Sequence, residues 1–452
     1  MKKIISILLA SLILTSFIYC GVSATEGSRT KAPSATSEEK STTDKKETET
    51  EKDEPEDESN PNVKAESAFL INPGTGVVIY EKNADQRMYP ASTTKIMTAY
   101  LALTKLDLNA QYTASATAVD IDRDGSNMGL SQGEILTGRQ LIESLMIHSA
   151  NDAANVLAEA VSGSISEFVT LMNSTAKDLG MTSTHFANPH GYHDNNHYTT
   201  ARDMAILASK AMENKIFAEM SAMKRLTIPP TNKYDEERVF STRNALINPY
   251  SNINLRYTSA TGIKTGHTSN AGYCFVGSST LKSNGNMELI SVVFKSTSYD
   301  QAFYDTINLF EYARENYYVK AVVDADELAS TCKVKWAKGK DHLVLKTNAD
   351  VKTVLPRYTS LDDHLERKIE IKDDIVAPIK KGDELGTVKV YYDGELVAQS
   401  KLYASRSVSR SYFKQIMSYV LNPWTLSGLG ILVILLILLK VKETARKRRR
   451  AK

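Results

Sequence analysis

From Tyr419 to Leu439 the chain carries no charged residue, and Lys440, Lys442, Arg446, Lys447, Arg448, Arg449, Arg450 and Lys452 follow it as a basic tail. At about 1.5 Å per residue this run forms a helix roughly 30 Å long, which matches the hydrocarbon core of a bilayer. Trp424 falls near one interface, and the basic tail predicts a cytoplasmic C-terminus. The sequence therefore predicts a transmembrane helix over 419–439, a cytoplasmic tail over 440–452 and an amphipathic lead-in over 406–418 lying on the membrane surface. Everything before the span is expected outside the cell.

The other end of the chain predicts the same orientation. Met1-Lys2-Lys3 precedes an apolar run from Ile4 to Tyr19, and small residues end at Val22-Ser23-Ala24. This is the pattern of a secretory signal peptide over 1–24, cut after Ala24. An uncleaved signal anchor is one alternative, and lipidation at Cys20 is another that bulky Tyr19 disfavours. Residues 25–64 are rich in Ser, Thr, Glu and Lys with almost no apolar side chains, and are expected to be a disordered linker. The net charge of +2 implies no nucleic-acid partner. Once the leader is removed, Cys274 and Cys332 remain in segments assigned to different domains, so no disulfide framework is expected.

Between linker and span the texture changes twice. Over 65–317, apolar strand-like runs at Ala68–Ile71 and Val77–Tyr80 flank Asn72-Pro73-Gly74-Thr75-Gly76, which reads as a hairpin. Helical patterns follow after Pro90, after Thr137, over Asn151–Val161, over Ile165–Leu179 and over Thr200–Met212. Strands return at Arg238–Phe240, Ala271–Val276 and Met287–Phe294, and Tyr299–Tyr317 is a long amphipathic helix. Strands at both ends with helices between predict an α+β domain, an antiparallel sheet beside a helical cluster. Over 318–405 alternating strands and the Asp393-Gly394 turn predict a small all-β domain.

Three short patterns in the first domain carry chemistry. Ser92-Thr93-Thr94-Lys95 opens a helix, so the hydroxyl and the amine share its first turn and can act as a nucleophile beside its own base. The same spacing recurs at Ser28, Ser37, Ser174, Ser221, Ser279, Ser330 and Ser411, so alone it means little. Ser149-Ala150-Asn151 is the second pattern. With Asp152, Ser149 reads as a capping box, and the same helix start can project a hydroxyl and a carboxamide into a cleft. Lys264-Thr265-Gly266 is the third, placed on an edge strand where glycine lets a ligand backbone lie close. Lys264 supplies charge and Thr265 a hydroxyl to an anionic substrate end. The spacings are about 57 and 115 residues, within one domain.

In that order, the three patterns resemble those of the penicillin-recognising serine transferases and β-lactamases. The wider matches at Pro90–Ala99, His148–Ala154, Asn188-Pro189-His190-Gly191, His197–Ala205 and Gly262–Thr268 resemble the low-molecular-mass D-alanyl-D-alanine carboxypeptidases. The resemblance implies that Ser92 attacks the penultimate D-Ala carbonyl of a peptidoglycan stem peptide, with Lys95 as base. It implies Ser149 and Lys264 as proton relay, Asn151 on the acyl side, Thr265 and Lys264 at the terminal carboxylate, and Ser92 and His267 backbone N–H groups as oxyanion hole. β-Lactams are implied as slowly released inhibitors, and no metal or cofactor is expected. His190, His193, Asp194 and His197 have the spacing of a metal cluster but fall in a loop that the family uses without one. Asp203 reads as a capping partner of Thr200, with catalytic support from it or Asp194 as the alternative. The arginine that some relatives use near the substrate carboxylate is not identifiable from sequence. Rival readings are a transpeptidase or endopeptidase of the same mechanism, a β-lactamase, for which no Glu-x-x-x-Asn element lies between Asn151 and Lys264, and a non-catalytic wall-binding scaffold.

Overall fold

Asn72 shows how local chemistry sets the first element. Its side-chain oxygen accepts from both the backbone N–H and the hydroxyl of Thr75 at 2.9 Å, closing the turn between β1 (Ser67–Ile71) and β2 (Val78–Lys82). The structure is a computed structural model that describes residues 60–122, 125–325, 330–357 and 364–450. The expected signal peptide, and the linker up to residue 59, lie outside the described residues.

Ala91–Thr94 form a 3-10 turn that runs into α1 (Lys95–Lys105). Two small hairpins, β3 (Gln111–Thr113) with β4 (Ile135–Thr137) and β5 (Arg225–Ile228) with β6 (Arg238–Ser241), lie before and after the helices. Those helices are α2 (Gly138–Ile147), α3 (Asn151–Ser162), α4 (Ile165–Asp178), α5 (Ala201–Met212) and α6 (Lys215–Ser221). Thr137 and Gln140 form a reciprocal capping box at α2. β7 (Ala260–Thr268), β8 (Gly272–Leu281) and β9 (Met287–Ser296) return the chain to the sheet, and α7 (Tyr299–Asn316) closes the domain.

The sheet is wholly antiparallel, in the order β2-β1-β9-β8-β7, so β7 is an edge strand as predicted. Alternation along the central strands fills two cores. Val276, Val292 and Phe294 pack with Ile96, Leu141 and Met204 of the helical cluster. Phe275, Leu289 and Val293 pack on the other face with Phe303, Leu309 and Phe310 of α7. The α+β expectation holds, with α7 as a second layer behind the sheet.

The predicted capping box at Ser149 does not form. The cap of α3 is Ala150, Ser149 has φ +66°, and the Asp152 carboxylate instead accepts from the backbone N–H groups of Met128, Gly129 and Leu130 at 2.9–3.0 Å. Three donors from an adjacent loop outweigh one local cap. Thr200 does cap α5, accepting from Asp203 N, but the Asp203 carboxylate turns to Ser183 N and Thr184 Oγ1.

Beyond α7 the regular elements among the described residues are all β up to residue 404. β10 (Tyr317–Val323) pairs with β13 (Val351–Pro356). A five-stranded sheet runs β11 (Ser330–Lys333), β12 (His342–Lys346), β16 (Glu395–Ala404), β15 (Glu384–Tyr392), β14 (Leu365–Ile371). Asp393 and Gly394, with φ +50° and +85°, make the tight β15–β16 turn. Then come α8 (Tyr412–Val420) and α9 (Pro423–Arg450). The expected span began at Tyr419, but Tyr419 and Val420 belong to α8. Asn422 accepts from Trp424 N at 3.1 Å, and Pro423, lacking an N–H, suits the first helical position, so a new helix starts there. Among the described residues Pro423–Lys447 is long and apolar enough to cross a membrane.

Candidate active site

The nucleophile turn is held by its own hydroxyls. Thr93 Oγ1 donates to Pro90 O and Thr94 Oγ1 to Ala91 O, each at 2.7 Å. Ala91 takes φ +47°, a left-handed value unusual for a residue with a Cβ. One turn on, fully buried Lys95 places its Nζ 2.9 Å from Ser92 Oγ, 2.6 Å from Asn151 Oδ1 and 2.6 Å from the His190 carbonyl oxygen. Two of these partners are carbonyl oxygens and can only accept. A neutral amine has two N–H donors and one lone pair, so when those donors serve Asn151 and His190 the lone pair faces the Ser92 hydroxyl. The hydrogen-bond set thus suits a neutral amine with its lone pair toward the serine hydroxyl.

The surroundings favour that neutral amine. Burial is the largest influence holding the Lys95 pKa well below its usual value, with the charges of Lys264 and Arg243 adding to it and Asp152 opposing. Lys264 is itself buried and lowered to about 7, by burial first and then by Arg243. Its Nζ donates to Thr265 O at 3.0 Å.

Ser92, Ser149, Asn151, Thr265, Gly266 and His267 line one cavity of about 700 Å³, and Lys264 is buried beside it on β7. The sequence-predicted residues are therefore brought together. Gly266 plays a different part from the one expected of it. A Cβ there would meet Pro90 O at 2.9 Å and the backbone nitrogens of Ser92 and Thr93 at 3.0 Å, so the missing side chain makes room for the nucleophile turn itself. His267 is exposed at the rim with its ring 4.3 Å from that of Tyr273.

Arg243 also lines the cavity, and sequence reasoning missed it. It follows β6, and its carbonyl accepts from the Tyr299 hydroxyl at 2.7 Å, which ties it to α7. No local pattern marks it; only the fold brings this cation beside Lys264.

The histidine loop braces the nucleophile turn. His197 Nδ1 accepts from Ala187 N at 3.1 Å, and Thr94 has spent its proton on Ala91 O, so His197 Nε2–H donates to Thr94 Oγ1 at 2.8 Å. Both ring nitrogens of His197 are thereby occupied, which argues against the metal alternative. Burial holds His197 and His190 neutral, with pKa values of about 3.

Comparison with known proteins agrees with this geometry. Residues 54–298 match the D-alanyl-D-alanine carboxypeptidase family, and residues 317–410 match the C-terminal domain of penicillin-binding protein 5. The chain is 32% identical over 367 residues to D-alanyl-D-alanine carboxypeptidase DacF of Bacillus subtilis, covering 80% of this chain and 90% of the relative. Penicillin-binding protein 5 from Haemophilus influenzae superposes with a TM-score of 0.65 at 29% identity, over 78% of this chain and 99% of that one. The D-alanyl-D-alanine carboxypeptidase DacD from Francisella tularensis has a TM-score of 0.58 at 28% identity, over 78% and 96% of the two chains.

Proposed function

Because the chain belongs to the D-alanyl-D-alanine carboxypeptidase family, with the serine hydrolase activity that this entails, we propose that Ser92 is the residue acylated and that Lys95 is its base. The observation that carries the assignment is the contact set of Lys95, in which the serine hydroxyl is the one partner able to give up a proton. Ser92 Oγ attacks the penultimate D-Ala carbonyl of a stem pentapeptide while its proton passes to Lys95 Nζ. The oxyanion forms against the backbone N–H groups of Ser92 and His267. As the C–N bond breaks, Ser149, recharged through Lys95 and Lys264, delivers a proton to the departing D-Ala amine. Asn151 holds the acyl side, and Lys264, Thr265 and Arg243 receive the terminal carboxylate. Water then cleaves the ester and restores the Ser92 hydroxyl. Penicillin follows the same path as far as the acyl-enzyme.

The same reading divides the chain into a catalytic domain over 65–317, a β domain over 318–405 and a single C-terminal span. It places the catalytic domain outside the cell, beside peptidoglycan, and the basic tail in the cytoplasm. Fluorescent penicillin tests the site. Wild type takes covalent label, Ser92→Ala and Lys95→Ala take none, and mass spectrometry finds the adduct on Ser92. Full labelling of the Ser92→Ala protein would discard the assignment. Product analysis on a pentapeptide and on a cross-linked dimer separates carboxypeptidase from endopeptidase or transpeptidase action.

A further inference from the structure

After the last strand of the β domain, β16, residues 405–411 lead into α8, and the helix is joined to the domain by specific contacts. Ser411 N donates to Trp336 O at 2.7 Å, and the Trp336 indole N–H donates to Ser418 Oγ at 2.9 Å. The Trp336 ring lies 5.9 Å from that of Tyr419, and the Arg410 guanidinium sits 5.4 Å from its centroid. The opening of α8 is thereby clamped to the fold rather than left on a tether.

Around this clamp the surface is cationic. Lys338 N donates to Ser409 O at 2.8 Å, Arg406 to Lys340 O at 3.1 Å and Lys381 N to Ser407 Oγ at 2.9 Å, so Lys338, Lys340, Lys381, Arg406 and Arg410 occupy one end of the domain beside Lys414 of α8. Among the described residues none of these six cations is paired with a carboxylate; of the acids at this end, Asp374 pairs with Lys335, Asp341 bonds to His342 and Asp383 accepts from Lys380 N. Beside the cations, α8 exposes Tyr412 (71%), Phe413 (74%) and Ile416 (61%) on one face. α9 starts at Pro423, just past the end of α8.

We propose that this end of the β domain, together with α8, docks on the anionic lipid headgroups of the leaflet that α9 enters. Unpaired cations meet the headgroups, and the aromatic face of α8 enters the boundary below them. The occupant follows from charge complementarity and from continuity with the apolar helix, since the chain is already led to the bilayer at this spot. The inference rests on the reading that α9 spans. It adds that the β domain is fixed to the surface, so the catalytic cavity is carried at a set height rather than swinging on a hinge.

The two tryptophans of the chain, Trp336 and Trp424, allow the docking and the span to be tested separately. The full chain is reconstituted into vesicles doped with a dansyl-headgroup lipid, once as Trp424→Phe, leaving Trp336, and once as Trp336→Phe, leaving Trp424. Trp336-to-dansyl transfer is expected to be roughly twofold higher in vesicles containing phosphatidylglycerol than in phosphatidylcholine alone. The excess should disappear in about 0.5 M NaCl, where the Debye length is ~4 Å, and in the exposed triple variant Lys338→Glu, Lys340→Glu, Lys381→Glu. Trp424 transfer should be the same in both lipids. Equal Trp336 transfer in the two lipids with Trp424 transfer intact overturns the docking and keeps the span. Loss of Trp424 transfer while the Trp336 dependence persists removes the span and upholds the docking face. Binding of soluble poly(glycerol phosphate) as tight as binding to the anionic vesicles would assign the face to a wall polymer and overturn the lipid assignment.

Discussion

Two buried lysines beside a cavity are an unfavourable arrangement, and the same tension tunes them. If Lys95 acts as a free amine and Lys264 as a cation, the acylation rate has two limbs. It rises with pH as Lys95 loses its proton and falls above about 7 as Lys264 loses its own. Lys264→Gln should lower acylation roughly 10²-fold, remove the falling limb and move the rising limb to higher pH, because one cation that suppresses Lys95 is gone. A rising limb that stays in place would mean that burial and Arg243 alone set Lys95; stopped-flow acylation by fluorescent penicillin across pH measures it. Stability gives an independent reading. The folded pKa of Lys264 lies below its ordinary 10.5, so between about 7 and 10.5 the unfolded chain binds more protons and stability rises with pH. The penalty is complete below about 7. Lys264→Met should therefore be more stable than wild type by on the order of 1–4 kcal/mol at pH 7, with the gap narrowing toward pH 9 in urea titrations. At this scale the site was largely legible, since Ser92, Lys95, Ser149, Asn151 and Lys264 each sit in a short pattern of their own. Arg243 was not, because its partners Tyr299 and Lys264 are distant in the chain and only packing joins them.

At the scale of elements, what matters is how the 3-10 turn, α3 and β7 are held against one another. Gly266 sets the gap between β7 and the nucleophile turn. Gly266→Ala should keep the fold, because its backbone is ordinary extended strand, yet push the strand from Ser92 and slow acylation by roughly 10²-fold. Unchanged acylation would mean that the turn yields without moving the hydroxyl. Asp152 sets the other contact, holding residues 128–130 while Asn151 N donates to Ser126 O at 2.7 Å. Asp152→Ala strands three backbone donors and should lose roughly 3 kcal/mol in chemical denaturation, with a parallel loss of acylation that Asp152→Asn partly restores. Sequence reasoning found most helices and strands here because their turns carry local signals, such as Asn72 before β2 and Asp393-Gly394 before β16. It missed α6 and β5, the partner of the expected strand at Arg238–Phe240, because their short runs have no distinctive period. It misread Ser149 because Ser-x-x-Asp has one spacing whether the aspartate turns back to cap or outward to a loop. The break before Pro423 was passed over because an uncharged run reads as continuous even where its backbone is not.

For the whole molecule, the question is whether catalysis depends on attachment. The cavity is lined by residues between Ser92 and Phe303, whereas the described residues of α9 are exposed throughout. Between them the β domain has its own core of Val322, Leu343, Leu345, Val388, Val390 and Leu402, and it joins the first domain through Val354, buried with Phe310 and Ala313 of α7, and through Arg357, whose backbone N–H donates to Asn316 O at 2.7 Å. None of these contacts passes through α8 or α9. A chain ended after Ser411 should therefore stay folded, no longer sediment with membranes, and acylate with soluble penicillin within about twofold of the full chain, since distant sites without shared partners act independently. Its turnover of peptidoglycan in membrane preparations should fall, because the anchor supplies proximity rather than chemistry. If soluble acylation drops with truncation, the membrane end communicates with the nucleophile turn through the β domain, and the anchor belongs to the mechanism as well as to the address.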